Sequence, residues 1–165
     1  MVTLYNVTSN DGFIARLDGD ENFISDDFWD YFIDLCKNYD TLVMGSKTYE
    51  AIQNYPIEMS EQLESLSLKR IVVTKDINYP VKSEYKIINS IKDIQFVGKN
   101  ILVSSGPGLN TSIAREGIAD KVILIKLPEK IGAGIPVFEK EIKLNLISEK
   151  DFGKGRKLCG YKIDI

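Results

Sequence analysis

The sequence predicts an α/β fold with a mostly parallel central sheet, helices on both faces and an antiparallel strand at the C-terminal edge. Short apolar runs alternate with helical patterns as far as about residue 128. Several of these runs stop at Gly or Ser and pass directly into a helical segment, as crossover connections between parallel strands do. From about residue 143 the pattern contains strands only. At 165 residues the chain fits one domain, 1–165, and shows no repeat, low-complexity tract or linker.

Residues 2–8 mix apolar and Thr/Asn positions and read as a buried strand, which Ser9-Asn10-Asp11-Gly12 breaks with strong turn chemistry. Residues 13–23 are polar and rich in Gly and Asp, so they read as a loop over the sheet edge. A helix is expected from Ser25 to about Asn38. Ser25 can cap it, Asp26 and Asp27 suit its positive N-terminal end, and Trp29, Phe32, Ile33 and Cys36 recur at helical spacing. Thr41-Leu42-Val43-Met44 is a continuous apolar run of the kind buried on both faces, closed by Gly45. Ser46 can cap a helix through Tyr49 to about Gln53.

After a polar loop and a short Ser/Leu/Glu-rich segment, residues 70–74 form the next strand and 86–89 a weaker one, with Ser90 opening a short helix. Residues 100–104 repeat the strand pattern, followed by Ser105-Gly106-Pro107-Gly108 and a helix from Leu109 to about Glu116. Gly117 suits the residue just past that helix. Residues 121–127 are the clearest strand. Residues 143–165 read as two strands joined near Phe152-Gly153-Lys154-Gly155.

Composition excludes several chemistries. The chain has no histidine, which removes Ser-His-Asp and Cys-His catalysis, His bases and His metal sites. Two distant cysteines, Cys36 and Cys159, do not make a metal site, and Cys36 on an apolar helical face reads as a buried free thiol. A net charge of −3 and a pI near 5.1 argue against nucleic-acid or membrane-surface binding, both of which need a basic footprint. The start MVTLYNVTSNDGF lacks the pattern of a secretory signal and the apolar runs are too short to span a bilayer, so a cytoplasmic location is expected.

Chemistry is therefore left to carboxylates, Lys, Tyr, water or a cofactor. Two strand-to-helix junctions stand out: Met44-Gly45-Ser46-Lys47-Thr48 and Ser104-Ser105-Gly106-Pro107-Gly108-Leu109. Open α/β sheets bind ligands outside the carboxyl ends of their strands, where helix N-termini present free N–H groups. Glycine permits close approach, Ser46, Thr48 and Ser105 offer hydroxyls, and Lys47 offers charge. Neither junction fits the P-loop or GxGxxG pattern, and each also reads as a turn glycine followed by a capping serine. Acids concentrate at Asp11, Asp18, Asp20, Asp26, Asp27 and Asp30, chiefly as caps and solvated charges. One acid on the first helix could nonetheless face a cleft.

Five segments in order resemble bacterial proteins related to the reductase domain of riboflavin biosynthesis, and the resemblance covers nearly the whole chain. Ser9-Asn10-Asp11-Gly12-Phe13-Ile14-Ala15 resembles S-x-D-G-[YF]-I-A. The segment 40–50 resembles D-x-x-x-x-G-R-x-T-[YW]-E, and Ser105-Gly106-Pro107-Gly108-Leu109 resembles G-G-P-x-L. Gly117-Ile118-Ala119-Asp120-Lys121 resembles G-L-[IV]-D-E, and Gly132-Ala133-Gly134-Ile135-Pro136-Val137-Phe138 matches G-x-G-x-P-x-F.

The resemblance implies the dihydrofolate reductase-like fold, NADPH as cofactor, and hydride transfer to a heterocyclic or ribose-derived small molecule. It implies that Ile14 and Ala15 border the nicotinamide and that Gly45, Ser46, Lys47 and Thr48 hold the pyrophosphate. Thr74 and Lys75 would take the adenosine side, with Arg70 near the 2′-phosphate. Ser105, Gly106 and Gly108 would hold the nicotinamide-proximal phosphate. The family's Arg is Ser46 here and its Gly-Gly pair is Ser105-Gly106. With no histidine, the proton that accompanies hydride is expected from Asp27, or from Asp30 one turn on. Dihydrofolate reductase itself and a non-catalytic nucleotide-binding or interaction protein remain as alternatives. A homodimer is also implied, paired through the C-terminal strands that carry Leu144, Leu146, Leu158 and Ile163.

Overall fold

In the computed structural model, residues 1–164 are described. The apolar runs form β1 (Val2–Thr8), β3 (Thr41–Gly45), β4 (Lys69–Val73), β5 (Lys86–Ile88), β6 (Ile101–Ser104) and β7 (Lys121–Lys126), with a short β2 (Phe13–Ala15) after β1. The tail supplies β8 (Ile135–Pro136), β9 (Leu144–Gly153) and β10 (Arg156–Ile163). Eight strands make one sheet in the order β5-β4-β3-β6-β1-β7-β10-β9. The first six run parallel, while β10 and β9 are antiparallel. The antiparallel edge is the hairpin of two strands expected from residues 143–165, turning at Gly153–Arg156.

Period-two alternation divides each parallel strand between two cores. Tyr5, Leu42, Met44, Val72, Leu102 and Ile125 face one layer with α1 (Asp27–Cys36), α2 (Ser46–Gln53) and α3 (Ile57–Glu64). Leu4, Val43, Ile71, Val103 and Leu124 face the other, with α4 (Pro107–Arg115) and a 3-10 helix at Ile91–Phe96. Six parallel strands covered on both faces explain why the runs read as continuously apolar.

Several boundaries differ from expectation. The loop at 13–23 contains β2, which pairs with β8 as a small second sheet. The Ser/Leu/Glu-rich segment is α3, whose weak apolar face concealed it. α1 starts at Asp27 with Asp26 at its cap, and the Ser25 hydroxyl donates instead to the Asp27 carboxylate. Gly45, not Ser46, occupies the cap position of α2. α4 starts at Pro107, whose fixed φ suits a first helical position. Ser90 does cap the 3-10 helix by accepting the Lys92 N–H, and Gly117 takes φ 66° just past α4. Cys36 and Cys159 are free and buried. Among the described residues no helix is long and apolar enough to cross a membrane.

Candidate active site

Parallel pairing brings the ends of β3 and β6 side by side, in register from Thr41 opposite Ile101 to Val43 opposite Val103. Each strand passes at once into a helix, so the N-termini of α2 and α4 lie next to one another. Both caps, Gly45 and Gly106, are extended glycines without a side-chain hydrogen bond to the helix. The first-turn N–H groups, which a helix leaves without internal acceptors, therefore have no side-chain cap. Ser46 and Thr48 are half-buried, and Lys47 is exposed. A Cβ on Gly106 would meet nothing within 4 Å, so backbone is open to a ligand there.

The two junctions are tied together underneath. The Gly45 N–H donates to Ser105 Oγ (3.3 Å), and Ser105 is buried. Asn110, fully buried in α4, donates from Nδ2 to Asn6 Oδ1 (3.0 Å), the Ser105 carbonyl (3.2 Å) and the Val137 carbonyl (3.1 Å). Asn6 Nδ2 donates to the same Ser105 carbonyl (2.9 Å). A polar knot thus fixes the second junction to β1 and to the segment beyond β7.

Thr74 and Lys75 follow β4 at the same sheet edge. The Thr74 N–H donates to the Ile88 carbonyl (3.1 Å), and its hydroxyl accepts from the Asp76 N–H (3.2 Å). Lys75 is exposed, and among the described residues neither Lys47 nor Lys75 makes an ion pair. Arg70 does not join them. It stands at the start of β4, four residues and roughly 13 Å from Thr74 along an extended strand. Its guanidinium donates to the carbonyls of Leu63 (3.2 Å) and Leu66 (2.9 Å), and its Nε to that of Glu84 (3.1 Å). Ile14 and Ala15 lie in β2, with Ala15 buried.

The expected acids fare differently. α1 turns Phe28, Phe32, Ile33 and Cys36 inward, and at 100° per residue this puts Asp27 and Asp30 on the outer side. Asp30 is exposed there and, among the described residues, makes no ion pair. Asp27 accepts from Arg156 Nη1 (2.8 Å) and from Ser25. The Ser25 hydroxyl first, then the Arg156 guanidinium, holds its carboxyl below the usual carboxylate range, the wrong direction for a proton donor near neutrality. Arg156 also lies over the rings of Phe28 (5.1 Å) and Phe152 (5.2 Å), pinning the β9–β10 turn to α1.

Sequence reasoning missed Glu21, in the loop before α1. Glu21 is exposed as a residue; partial desolvation of its carboxyl raises its pKa from the ordinary value, against the lowering effect of the Tyr55 hydroxyl that donates to Oε2 (3.3 Å). Nothing local in the sequence marks this, since Tyr55 is 34 positions away. It also missed Glu139, whose Oε1 would lie 3.2 Å from a Cβ on Gly108 and so places a negative charge beside the start of α4. Its position directly after the G-x-G-x-P-x-F segment was the available signal.

Three motif aspartates are struts. Asp40 accepts from the N–H groups of Lys99 (3.0 Å) and Asn100 (2.8 Å). Asp120 accepts from the Val2 N–H (2.7 Å). Asp11 accepts from the Ser9 hydroxyl and from the N–H groups of Ile131 and Gly132. Two shallow cavities, of about 350 and 440 Å³, lie away from the junctions, one beside Arg115, Lys143 and Ile163 and one beside Leu66, Lys69 and Arg70.

No family model matches the chain. The uncharacterized protein YwjB of Bacillus subtilis (strain 168) is 26% identical over 166 residues, covering 94% of each chain. Three solved structures share the architecture. Dihydrofolate reductase of Enterococcus faecalis, complexed with NADP(H), superposes with a TM-score of 0.72 at 13% identity over 100% of this chain and 97% of that one. A diaminohydroxyphosphoribosylaminopyrimidine deaminase/5-amino-6-(5-phosphoribosylamino)uracil reductase of Thermotoga maritima gives 0.72 at 15% identity, over 99% of this chain and 56% of that one. The riboflavin biosynthesis reductase of Saccharomyces cerevisiae gives 0.68 at 16%, over 99% and 90%. The strand order, the paired helix-led junctions and these likenesses lead to one conclusion: the chain has the dihydrofolate reductase-like fold.

Proposed function

We propose that the protein is an NADPH-dependent reductase that passes hydride to a heterocyclic or ribose-derived small molecule. The observation that carries this reading is the pair of adjacent helix N-termini without side-chain caps at Gly45 and Gly106, with open backbone at Gly106 and an exposed cation at Lys47. Such a pair suits a pyrophosphate, because N–H groups and helix dipoles both favour anions. The N–H groups and hydroxyls of Ser46 and Thr48, with Lys47, would hold the pyrophosphate. Thr74 and Lys75 would take the adenosine end, and Ser105, Gly106 and Gly108 the end nearer the nicotinamide. Ile14 and Ala15 would border the ring. When bound, the cofactor supplies hydride.

The rest is positioning and proton supply by the chain itself. We place the proton supply at Glu21, an exposed carboxyl whose pKa is raised from its ordinary value by partial desolvation. Its Oε2 accepts from Tyr55, which leaves Oε1 to hold the proton and release it directly or through a water. Asp27 stays charged and holds Arg156. Solved relatives of this fold include reductases of aminopyrimidine ribose phosphates and of dihydrofolate, so both substrate groups belong in the assay.

Fluorescence titration at fixed salt tests the cofactor. NADPH is expected to bind more tightly than NADH, and Lys75→Ala to weaken NADPH by up to about fivefold with little change for NADH, the scale of one exposed charge pair. Equal dissociation constants for the two cofactors overturn the 2′-phosphate assignment, and no binding of either overturns the reductase reading.

A further inference from the structure

Asp11 looks like an ordinary turn residue, but two of its three partners are 120 and 121 positions away. Oδ1 accepts the Ser9 hydroxyl (2.6 Å) and the Ile131 N–H (3.2 Å), and Oδ2 accepts the Gly132 N–H (2.8 Å). Around it, Ser9 Oγ accepts the Phe13 N–H (3.0 Å), the Ser9 N–H donates to the Phe13 carbonyl (2.8 Å), and the Asn10 N–H donates to the Glu129 carbonyl (2.7 Å). Gly132 takes φ 79°, a conformation that glycine adopts without steric penalty. Just beyond it, β8 pairs with β2, with Phe13 opposite Pro136 and Ala15 opposite Ile135. The approach is so close that a Cβ on Gly134 would run into the Ala15 carbonyl oxygen. One carboxylate therefore joins the end of β1, the β2 flap and the 129–136 segment.

We propose that Asp11 is a positioning residue, clamping segment 129–136 against the β2 flap and so fixing Ile14 and Ala15 within it. The consequence for activity rests on the reductase reading above, because only there do Ile14 and Ala15 border a ligand. The clamp itself rests on the hydrogen bonds. No ion pair satisfies Asp11 among the described residues, so fixed N–H and O–H donors hold its charge. Asparagine cannot replace it. Whichever way the amide is turned, its NH₂ faces at least one of the donors that Asp11 accepts, putting donor against donor.

The test compares Asp11→Asn and Ser9→Ala with the full-length wild type, reading deuterium uptake in residues 12–16 and 130–136 together with NADPH affinity and turnover. Asp11→Asn is expected to speed exchange in both segments by about tenfold or more, as loss of a charge-assisted bond implies. That includes Ile14 and Ala15, which make no hydrogen bond to Asp11. Turnover is expected to fall by a larger factor than NADPH affinity, since α2 is untouched. Ser9→Ala, a milder change if the first variant folds poorly, is expected to act in the same direction. Faster exchange confined to 130–136, or spread evenly over the chain, overturns the clamp. A wild type that binds no NADPH overturns the reductase reading instead, and the exchange pattern still decides the clamp.

Discussion

Replacing Asn110 with alanine isolates the polar knot beneath the second junction. The side chain is fully buried and its Nδ2 serves three acceptors. After substitution the Ser105 carbonyl keeps the Asn6 amide as donor. The Val137 carbonyl loses the bond, which costs about 1–3 kcal/mol for a buried acceptor left unpaired. Asn6 is half-buried, so its Oδ1 regains some hydration and loses nearer 1 kcal/mol. Alanine returns up to about 0.7 kcal/mol as the better helix former. The expected net loss is roughly 1.3–4 kcal/mol, which for a domain of this size lowers Tm by roughly 3–16 °C.

Urea unfolding with an unchanged m-value measures this loss. The double variant with Asn6→Ala is expected to show a coupling energy of about 0.5–3 kcal/mol, because both amides meet at one carbonyl. Without the knot the Ser105 backbone is freer, so NADPH binding is expected to weaken as well. A loss below about 1 kcal/mol, against the 1–3 assigned to one orphaned acceptor, refutes the reasoning.

Glu21→Gln is expected to lower turnover by about 10²–10⁴-fold with NADPH affinity intact, while Asp27→Asn and Asp30→Asn stay within a few-fold of wild type. Wild-type rates are expected to fall as pH rises through the Glu21 pKa, above the ordinary Glu range; full turnover in Glu21→Gln removes it from the mechanism. In acid, Asp11 is held at about 2 by the Ser9 hydroxyl and then by the Gly132 and Ile131 N–H groups, and Asp27 is also lowered. Their folded-state pKa values lie below the unfolded value near 3.9. The stability they contribute is thus complete above that pH and lost as pH falls toward about 2, and Asp11→Asn should flatten the pH dependence of unfolding in that window. We also propose a homodimer through the outer edge of β9, where Leu146 and Ile147 are half exposed. Leu144, Leu158 and Ile163 are partly buried against the chain's own cores and are not free for it. Light scattering at micromolar concentration should give a dimer and Ile147→Lys a monomer; a monomeric wild type ends the proposal.

The linear pattern determined what depends on near neighbours. Apolar runs within 41–44, 70–74 and 100–104 marked buried strands, and Gly45 marked where α2 begins, whereas α4 was expected from Leu109 and starts at Pro107. The residues bringing Ser46, Lys47, Thr48, Ser105 and Gly108 to one sheet edge were legible for the same reason, because parallel strands deliver all their carboxyl ends to one side. The β2–β8 sheet was hidden because strands of three and two residues carry too little periodicity to register. Local spacing also could not say that Arg156, 129 positions on, pairs with Asp27. Charge state and facing depend on which distant side chains fold against a group. For Asp11, Glu21, Asp27, Arg70 and Asn110 those partners come from another strand or loop, so only the tertiary structure decided what each side chain bonds to.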